Sequence, residues 1–194
     1  MNWTTVRLSL ALLLLTSLAT LGGCQLAPWA EGEGPADFVG SQGVVVGVFI
    51  SRDCPIANRY ASTLRRLHGR FADQLHAFLI VYVDPGLSTD EMYTHAKEYQ
   101  LPAGATLFAD STLQIAEFSK IRVTPEAVVW EDGAVRYQGR IDDLYVDFGQ
   151  RRTAPSRNDL EIAIEEVLAG EPVTVPRTDA VGCFISDLRN DLSP

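Results

Sequence analysis

The hydrophobic positions of the chain form short apolar runs that alternate with helical stripes. Two runs rich in β-branched residues, 43–50 and 76–83, have the composition of strands buried inside a sheet. Apolar residues spaced three and four apart over 55–71 predict a helix directly after the first strand. Ser88, followed by Glu91 three positions later, predicts a capped helix that begins there and ends near 99.

The second half of the chain continues this alternation with shorter elements. We predict a short strand at 105–109, a helix from 110 to about 119, a hairpin with its turn at Asp132-Gly133, and a helix at 160–168. The complete order is β-α-β-α-β-α-β-β-α. This order predicts an α/β fold with a central mixed sheet and helices on both faces.

The N-terminus has the pattern of an export signal. Arg7 precedes an apolar run, 8–18, that is too short to cross a bilayer as a helix, which is typical of a signal peptide. The run ends in Leu21-Gly22-Gly23-Cys24, which resembles the bacterial lipobox and makes Cys24 the predicted lipid attachment point. The alternative is an ordinary signal peptide followed by an unrelated cysteine. Gln25 after the cysteine resembles the pattern sorted to the periplasmic face of the outer membrane, so we expect a lipid-anchored protein of the bacterial cell envelope.

These features divide the chain into four predicted segments. Residues 1–23 are the lipoprotein signal peptide, 24–43 a tether rich in Ala, Gly, Pro and Glu, 44–170 a single domain, and 171–194 a C-terminal tail that carries Cys183. The net charge is -9 and the isoelectric point is about 4.7. Because adjacent basic residues occur only as the pairs Arg65-Arg66 and Arg151-Arg152, the sequence argues against nucleic-acid binding.

With Cys24 assigned to lipid, the remaining cysteines are Cys54 and Cys183, in a compartment where disulfides persist. Cys54 follows the first strand, and Pro55 then begins the helix, so the sulfur should lie near unpaired backbone N–H groups that favour a thiolate. Arg52 favours the same ionisation and Asp53 opposes it. The alternative is an inert, buried cysteine.

Thr124-Pro125 begins a predicted strand, where proline is otherwise unfavourable. Thioredoxin folds have the element order predicted above, and in them a cis-proline at this place packs beside the active cysteine and leaves the preceding backbone free to pair with an extended substrate. Thr124-Pro125 fits that position. The alternative is an ordinary trans turn proline.

Several short motifs occur in one order along the chain, and together they resemble the peroxiredoxin-like branch of the redoxin family (alkyl hydroperoxide reductase and thiol-specific antioxidant proteins). The resemblance spans nearly the whole domain and implies a thioredoxin fold with thiol redox chemistry. The motifs are Cys54-Pro55-Ile56-Ala57-Asn58, Thr124-Pro125-Glu126, Gly139-Arg140-Ile141-Asp142-Asp143, Asp159-Leu160, Leu168-Ala169-Gly170-Glu171-Pro172-Val173 and Val181-Gly182-Cys183.

The chain departs from this family in the cysteine loop. Many relatives have a Cys-x-x-Cys pair there, whereas Ser51 occupies the earlier position in this chain. Ser51 and Cys54 also fit the end of the peroxiredoxin pattern P-x-x-x-T/S-x-x-C, in which the hydroxyl positions a peroxide, but Gly47 stands in place of the proline. Arg122 is only a nearby candidate for the arginine that stabilises the attacked peroxide.

Cys183 resembles a C-terminal resolving cysteine, because it follows a proline-rich tail that can reach back over the domain. The resemblance therefore implies an oxidoreductase in which Cys54 attacks a disulfide or a peroxide and Cys183 resolves the product, with a thiol or disulfide protein as electron donor. Two alternatives stay open. A Cys54–Cys183 bridge closing about 130 residues would also serve as a purely structural link, and the fold would then act as a binding module.

No cofactor or metal site is predicted. His68, His76 and His95 share no ligand spacing with each other or with a cysteine. A copper-handling protein would need two sulfurs and a histidine to converge. In Gly139-Arg140-Ile141-Asp142-Asp143, we expect the adjacent acids to face water and Arg140 to pair locally and orient the loop before the last helix.

Overall fold

A computed structural model of the chain describes residues 41–185. The predicted signal peptide, Cys24 and most of the tether lie outside the described residues, as does the end of the tail. Within 41–185, no helix has the length and apolar character that crossing a membrane requires.

The centre of the molecule is a five-stranded mixed sheet with the order β3-β2-β1-β5-β6. Strand β1 lies in the middle, parallel to β2 and antiparallel to β5, and β3 and β6 form the edges. The strands are β1 Val44–Ile50, β2 Ala77–Tyr82, β3 Thr106–Ala109, β5 Glu126–Glu131 and β6 Ala134–Gly139. Strand β1 is buried along its whole length, which explains its continuous run of apolar residues.

Five α-helices connect and cover the strands in the described part of the chain. They are α1 Pro55–Arg59, α2 Ala61–Phe71, α3 Thr89–Glu98, α4 Gln114–Phe118 and α5 Asp159–Leu168. The sequence predicts one helix over 55–71, but the structure has two, because the helix is interrupted at Tyr60. A 3₁₀ turn, Ala72–Gln74, ends the second of them.

Apolar side chains cover both faces of the sheet, as the predicted fold class requires. One face packs against α2, α3 and α5 through residues such as Leu64, Met92 and Ile164. The opposite face packs against α4 through Ala116, around the buried indole of Trp130. Gly47 makes room for that indole, because a Cβ at this position would lie 2.6 Å from the Trp130 ring.

Two small pairs of strands lie outside the central sheet. Strands β7 Tyr145–Asp147 and β8 Gln150–Arg151 form a hairpin before α5. Strand β4, Val123–Thr124, pairs antiparallel with β9, Cys183–Phe184, which is the last strand described in the chain. The C-terminal tail therefore returns to the segment that immediately precedes Pro125.

Candidate active site

Cys54 lies at the carboxyl end of β1, where it caps the first turn of α1. Its backbone N–H donates to the Ser51 carbonyl oxygen (3.1 Å), which tightens the loop between strand and helix. The Ala57 N–H donates to Cys54 Sγ at 3.4 Å. The thiol itself donates to the Thr124 carbonyl oxygen at 3.1 Å. One contact therefore favours negative charge on the sulfur, and the other favours the protonated thiol.

The peptide bond between Thr124 and Pro125 is cis, as predicted from the sequence. The contact between Cys54 Sγ and the Thr124 carbonyl brings this bond and the cysteine together on the same side of the sheet. Thr124 Oγ1 is buried and, among the described residues, has no hydrogen-bond partner. The candidate residues Cys54, Thr124 and Pro125 thus form one cluster.

Cys183 joins this cluster from the tail. In the pair of β4 and β9 it lies opposite Thr124, the residue whose carbonyl oxygen accepts from the Cys54 thiol. Both cysteines are free thiols in the structure. Burial raises the pKa of the Cys183 thiol to about 12, together with the hydrogen bond to Cys54 and the Cys54 charge.

The tail also covers Cys54. The Cys54 side chain is buried, with 1% of its surface exposed, whereas Cys183 is half-buried. The sequence predicts that Cys54 can be reached from solvent at the mouth of a helix. The structure differs, because the side chain is buried beside Thr124, the residue with which Cys183 of the tail pairs.

Ser51 belongs to the same loop, but its hydroxyl is engaged elsewhere. Ser51 Oγ donates to Asp84 Oδ1 at 2.6 Å, and the Arg52 N–H donates to Asp84 Oδ2 at 2.9 Å. The Asp84 carboxylate, at the end of β2, thus holds the start of the cysteine loop in place. The sequence does not reveal this role of Asp84, because Asp84-Pro85-Gly86 has the composition of an ordinary turn.

The charged neighbours of Cys54 in sequence point away from it. Arg52 donates to Glu91 Oε1 in α3 at 2.9 Å, and Asp53, with an 83% exposed side chain, lies 3.6 Å from the Arg52 guanidinium. The guanidinium of Arg122 donates to the Ile121 carbonyl oxygen. The peroxide-stabilising role considered for Arg122 stays a prediction.

His95 supports the cysteine loop from α3, a role that the sequence did not reveal. Its Nε2 donates to Asn58 Oδ1 (3.0 Å), its Nδ1 accepts from the Tyr82 hydroxyl (2.9 Å), and the Asn58 amide donates to the Arg52 carbonyl oxygen (2.9 Å). Burial lowers the pKa of His95, which agrees with the neutral ring that this network requires. Cys54 does not line the shallow cleft of about 380 Å³ between the cysteine loop and α3.

The acidic residues after Gly139 are buried, which corrects the expectation that they face water. Asp142 accepts from the Tyr60 hydroxyl at 2.6 Å, and Asp143 accepts from the backbone N–H groups of Ser156 and Arg157. These partners are distant in sequence and satisfy the carboxylates without water. The expectation for Arg140 is confirmed, because its Nε lies 2.7 Å from the carboxylate of Asp159, the first residue of α5.

Another buried carboxylate lies directly after Pro125. Glu126 accepts from Gln138 Nε2 at 2.9 Å, and burial raises the pKa of Glu126. Gln138 also donates from Nε2 to the Ser119 carbonyl oxygen at 3.0 Å. In the sequence, Glu126 is distinguished only as the last residue of the Thr124-Pro125-Glu126 motif, and Gln138 is not distinguished. Within 41–185, no three His, Cys, Asp or Glu side chains converge as a metal-binding group.

No protein-family model matches the sequence, and no curated protein matches it either. Solved structures do resemble it. An uncharacterized conserved protein from Geobacillus kaustophilus is 23% identical with a TM-score of 0.65, over 77% of this chain and 79% of that one. A hypothetical protein from Sinorhizobium meliloti 1021 is 22% identical with a TM-score of 0.65, over 78% and 82%.

A third similar structure is that of a thioredoxin-like protein. This protein, solved in solution in its oxidized form, is 17% identical with a TM-score of 0.52, over 72% of this chain and 87% of that one. Identities at this level show the fold alone. With its central mixed sheet and its helices on both faces, the chain has a thioredoxin-like fold.

Proposed function

We propose that the protein is a thiol-disulfide oxidoreductase in which Cys54 is the nucleophile and Cys183 the resolving cysteine. The observation that carries this proposal is that both cysteines meet at Thr124, beside the cis-proline: the Cys54 thiol donates to the Thr124 carbonyl oxygen, and Cys183 pairs with Thr124 across β4 and β9. A structural cysteine pair would not need its two sulfurs to lie at the carboxyl end of the central strand.

The reaction transfers two electrons from the two thiols to a disulfide of a partner protein. The Cys54 thiolate attacks one partner sulfur, the partner's S–S bond breaks, and its second sulfur leaves as a thiolate that takes up a proton. Cys183, once deprotonated, attacks Cys54 Sγ, forms the Cys54–Cys183 disulfide and releases the remaining partner thiolate. A thiol reductant then returns the two electrons to the pair.

The contacts of Cys183 set the order of these steps. Its pKa is raised partly by the hydrogen bond to Cys54 and by the Cys54 charge. Both causes vanish when Cys54 Sγ is bonded to a partner sulfur, so the pKa of Cys183 falls and the thiolate needed for resolution becomes accessible. Cys183 is thus a stronger nucleophile after Cys54 has reacted than before, because only burial then still raises its pKa.

Disulfides are favoured over peroxides as substrates by two observations. The Ser51 hydroxyl donates to Asp84, whereas positioning a peroxide would require it at Cys54. Gly47, which stands where peroxiredoxins have proline, lies inside β1 with paired strands on both sides, and proline there would remove a backbone donor. Membership of the peroxiredoxin-like branch is supported by the order of the motifs and does not require peroxidase activity.

The test uses reduced protein with Cys24→Ser, so that Cys54 and Cys183 are the only thiols. Oxidised glutathione is added, and the products are identified by mass spectrometry after acid quenching. The expected product is an internal Cys54–Cys183 disulfide without bound glutathione. The additional substitution Cys183→Ser should trap one glutathione on Cys54, whereas Cys54→Ser should abolish the internal disulfide.

A second candidate is a binding module whose cysteine pair is structural. It is favoured by the burial of Cys54, 1% of which is exposed. If the native protein forms neither the internal disulfide nor a glutathione adduct, while urea-unfolded protein forms both, the binding module is the better description.

Lipid attachment and envelope location are part of the same proposal. They are supported by the apolar run and by Leu21-Gly22-Gly23-Cys24, which resembles a lipobox. In a bacterial host, the mature protein should carry acyl chains on Cys24 that mass spectrometry detects, and Cys24→Ser should remove them. A mature chain with an unmodified Cys24 would contradict this assignment.

A further inference from the structure

The backbone of β4 pairs with the chain's own tail. Cys183 pairs with Thr124 and Phe184 with Val123, and the Ile185 N–H donates to the Arg122 carbonyl oxygen at 3.1 Å. Strand β4 belongs to a two-stranded sheet with β9 alone and is not part of the central sheet. Residues 182–185 of the tail thus supply the backbone pairing of the segment that precedes Pro125. We call this segment, 122–124, the β4 edge.

The β4 edge accepts the tail only because residue 182 is glycine. A Cβ at Gly182 would lie 2.0 Å from the Thr124 carbonyl oxygen and 2.6 Å from its carbonyl carbon. These are backbone atoms of a buried residue, so they cannot turn aside as a flexible side chain can. Any segment that docks here with a cysteine opposite Thr124 therefore needs glycine immediately before that cysteine.

The position two residues after the cysteine is also selective. Ile185 is 5% exposed and packs into the apolar cluster on the α4 face of the sheet, with Ile121 and Leu113. Phe184, between the two inward positions, is 54% exposed. This alternation is that of a strand with one buried face, in which the backbone provides affinity and alternate side chains provide specificity.

The tail strand has a separate anchor upstream, so it can leave without detaching the whole tail. Gln138 N–H donates to the Pro176 carbonyl oxygen (3.0 Å), Thr178 N–H donates to the Gln138 carbonyl oxygen (3.1 Å), and Arg140 N–H donates to Thr178 Oγ1 (3.0 Å). Residues 179–181 connect this anchor to Gly182. With the anchor in place, Cys183 stays close to Cys54 even when the strand is displaced.

We propose that the β4 edge is the docking site for an extended segment of a partner protein with the pattern Gly-Cys-X-aliphatic, and that residues 182–185 occupy it until the partner displaces them. The proposal rests on the proposed function, because it puts the partner's cysteine where Cys183 now lies, beside Cys54. Tail and partner exclude each other, so the return of the tail both brings Cys183 to Cys54 and expels the reduced partner.

The experiment uses full-length reduced protein with Cys24→Ser and Cys183→Ser, so that Cys54 is the only thiol. The probe is the amidated peptide Ala-Val-Gly-Cys-Phe-Ile, with its cysteine linked by a disulfide to 5-thio-2-nitrobenzoate. Attack by Cys54 on the peptide sulfur breaks this bond, forms a Cys54–peptide disulfide and releases the coloured thiolate. Its absorbance gives the rate.

Gly182→Ala should release the tail and raise this rate by about tenfold or more, since the Cβ would collide with Thr124. The matched control is Gly69→Ala in α2, where a Cβ would meet nothing within 4 Å; its rate should stay at the level of the parent protein. On the Gly182→Ala protein, replacing glycine by alanine or isoleucine by serine in the peptide should slow the reaction by about tenfold.

Ellman's reagent, a small symmetrical disulfide, separates the two possible failures. If Gly182→Ala protein reacts with this reagent but reacts equally fast with all three peptides, the docking proposal is overturned and the redox proposal survives. If Cys54 reacts with neither the reagent nor any peptide, the redox proposal fails. Should Gly182→Ala fail to fold, Ile185→Ser releases the strand at its other end and must give the same order of peptide rates; equal rates would overturn the docking proposal.

Discussion

At the scale of single residues, the two thiols of the site are unequal because of how they contact each other. Cys54 accepts the Ala57 N–H and donates its thiol to the Thr124 carbonyl oxygen, whereas the pKa of Cys183 is raised to about 12. Burial is the first cause of this shift, and Cys54 supplies the other two. The reactivity of Cys183 should therefore depend on the residue at position 54.

Substituting Cys54→Ala should speed alkylation of Cys183 by iodoacetamide at pH 9. The Cys54 charge and the hydrogen bond are removed, so the pKa of Cys183 falls, and each unit of decrease raises the thiolate fraction roughly tenfold in this range. The rate is read from the mass of quenched samples in a Cys24→Ser background. An unchanged rate would mean that burial alone controls Cys183 and would remove the basis for the proposed order of steps.

His95 should make stability depend on pH, with a sign fixed by its burial. Its pKa is lowered in the folded protein, so the neutral ring is favoured by folding. The stability it contributes is complete above the unfolded pKa of about 6.5 and is lost as the pH falls through the lower folded value. The difference in unfolding free energy between the native protein and His95→Gln should therefore be largest near pH 8 and shrink towards pH 5.

Urea unfolding of both proteins at a series of pH values measures this difference directly. Other titrating groups are common to both chains and cancel to first order. A difference that stays constant, or grows as the pH falls, would show that burial does not hold His95 neutral in the folded protein.

At the scale of elements, α3 connects the helix cap to the cysteine loop. Ser88 Oγ accepts from the Glu91 N–H at 3.3 Å, the Ser88 N–H donates to Glu91 Oε2 at 3.1 Å, and Glu91 Oε1 accepts from Arg52 at 2.9 Å. The hydrogen bonds from Ser88, followed by the one from Arg52, lower the pKa of Glu91 to about 2. Glu91 therefore stays ionised and keeps both contacts.

Ser88→Ala should lower the free energy of unfolding by about 1 kcal/mol, the usual cost of losing an N-cap hydroxyl. The matched control is Thr89→Ala at the next position, which is exposed and should change stability by less than about 0.5 kcal/mol. Urea midpoints measure both. Equal effects of the two substitutions would mean that the capping box does not stabilise α3.

The elements that the sequence predicts correctly are those with local causes. Strand β1 has its apolar run, α3 has its capping box, and the hairpin of β5 and β6 has Asp132-Gly133, both with positive φ. The pairing of β4 with β9 has no such signal, because each strand is two residues long and the partners are about 60 positions apart. The pairing requires glycine at position 182, because a side chain there would collide with Thr124. That requirement can be recognised only when the structure shows Thr124 beside Gly182.

The sequence likewise predicts only part of the candidate site. Cys54, Thr124, Pro125 and Cys183 were identified from their types and order, and the structure brings them together. The burial of Asp142 and the network of His95 were not, because both depend on partners supplied by other elements, Tyr60 in one case and Tyr82 in the other. A sequence pattern records which groups are polar but not whether the fold provides a partner for them.

At the scale of the whole molecule, the tail pairs first beside β6 and then with β4, where it brings Cys183 to the Cys54 site. It adds a bridge between Gln138 and Arg177 beside β6, and it then pairs with β4. A bond between Cys54 and Cys183 would close a loop of about 130 residues, which in the chain-entropy treatment stabilises by up to roughly 5 kcal/mol. Folding stability and redox state should therefore be coupled.

Oxidised protein should unfold at higher urea concentration than reduced protein, and Cys183→Ser should abolish the difference. If the gain is a few kcal/mol, the same free energy opposes reduction of the pair, so partner disulfides are reduced only where an external thiol keeps the pair reduced. Equilibration with dithiothreitol of varied redox ratio, followed by mass spectrometry, gives the potential of the pair independently of unfolding. The two measurements must agree by linkage: a pair that oxidises readily but leaves the urea midpoint unchanged would show that forming the bond costs the folded protein as much as the unfolded chain, and therefore that the reduced tail is not already fixed beside Cys54.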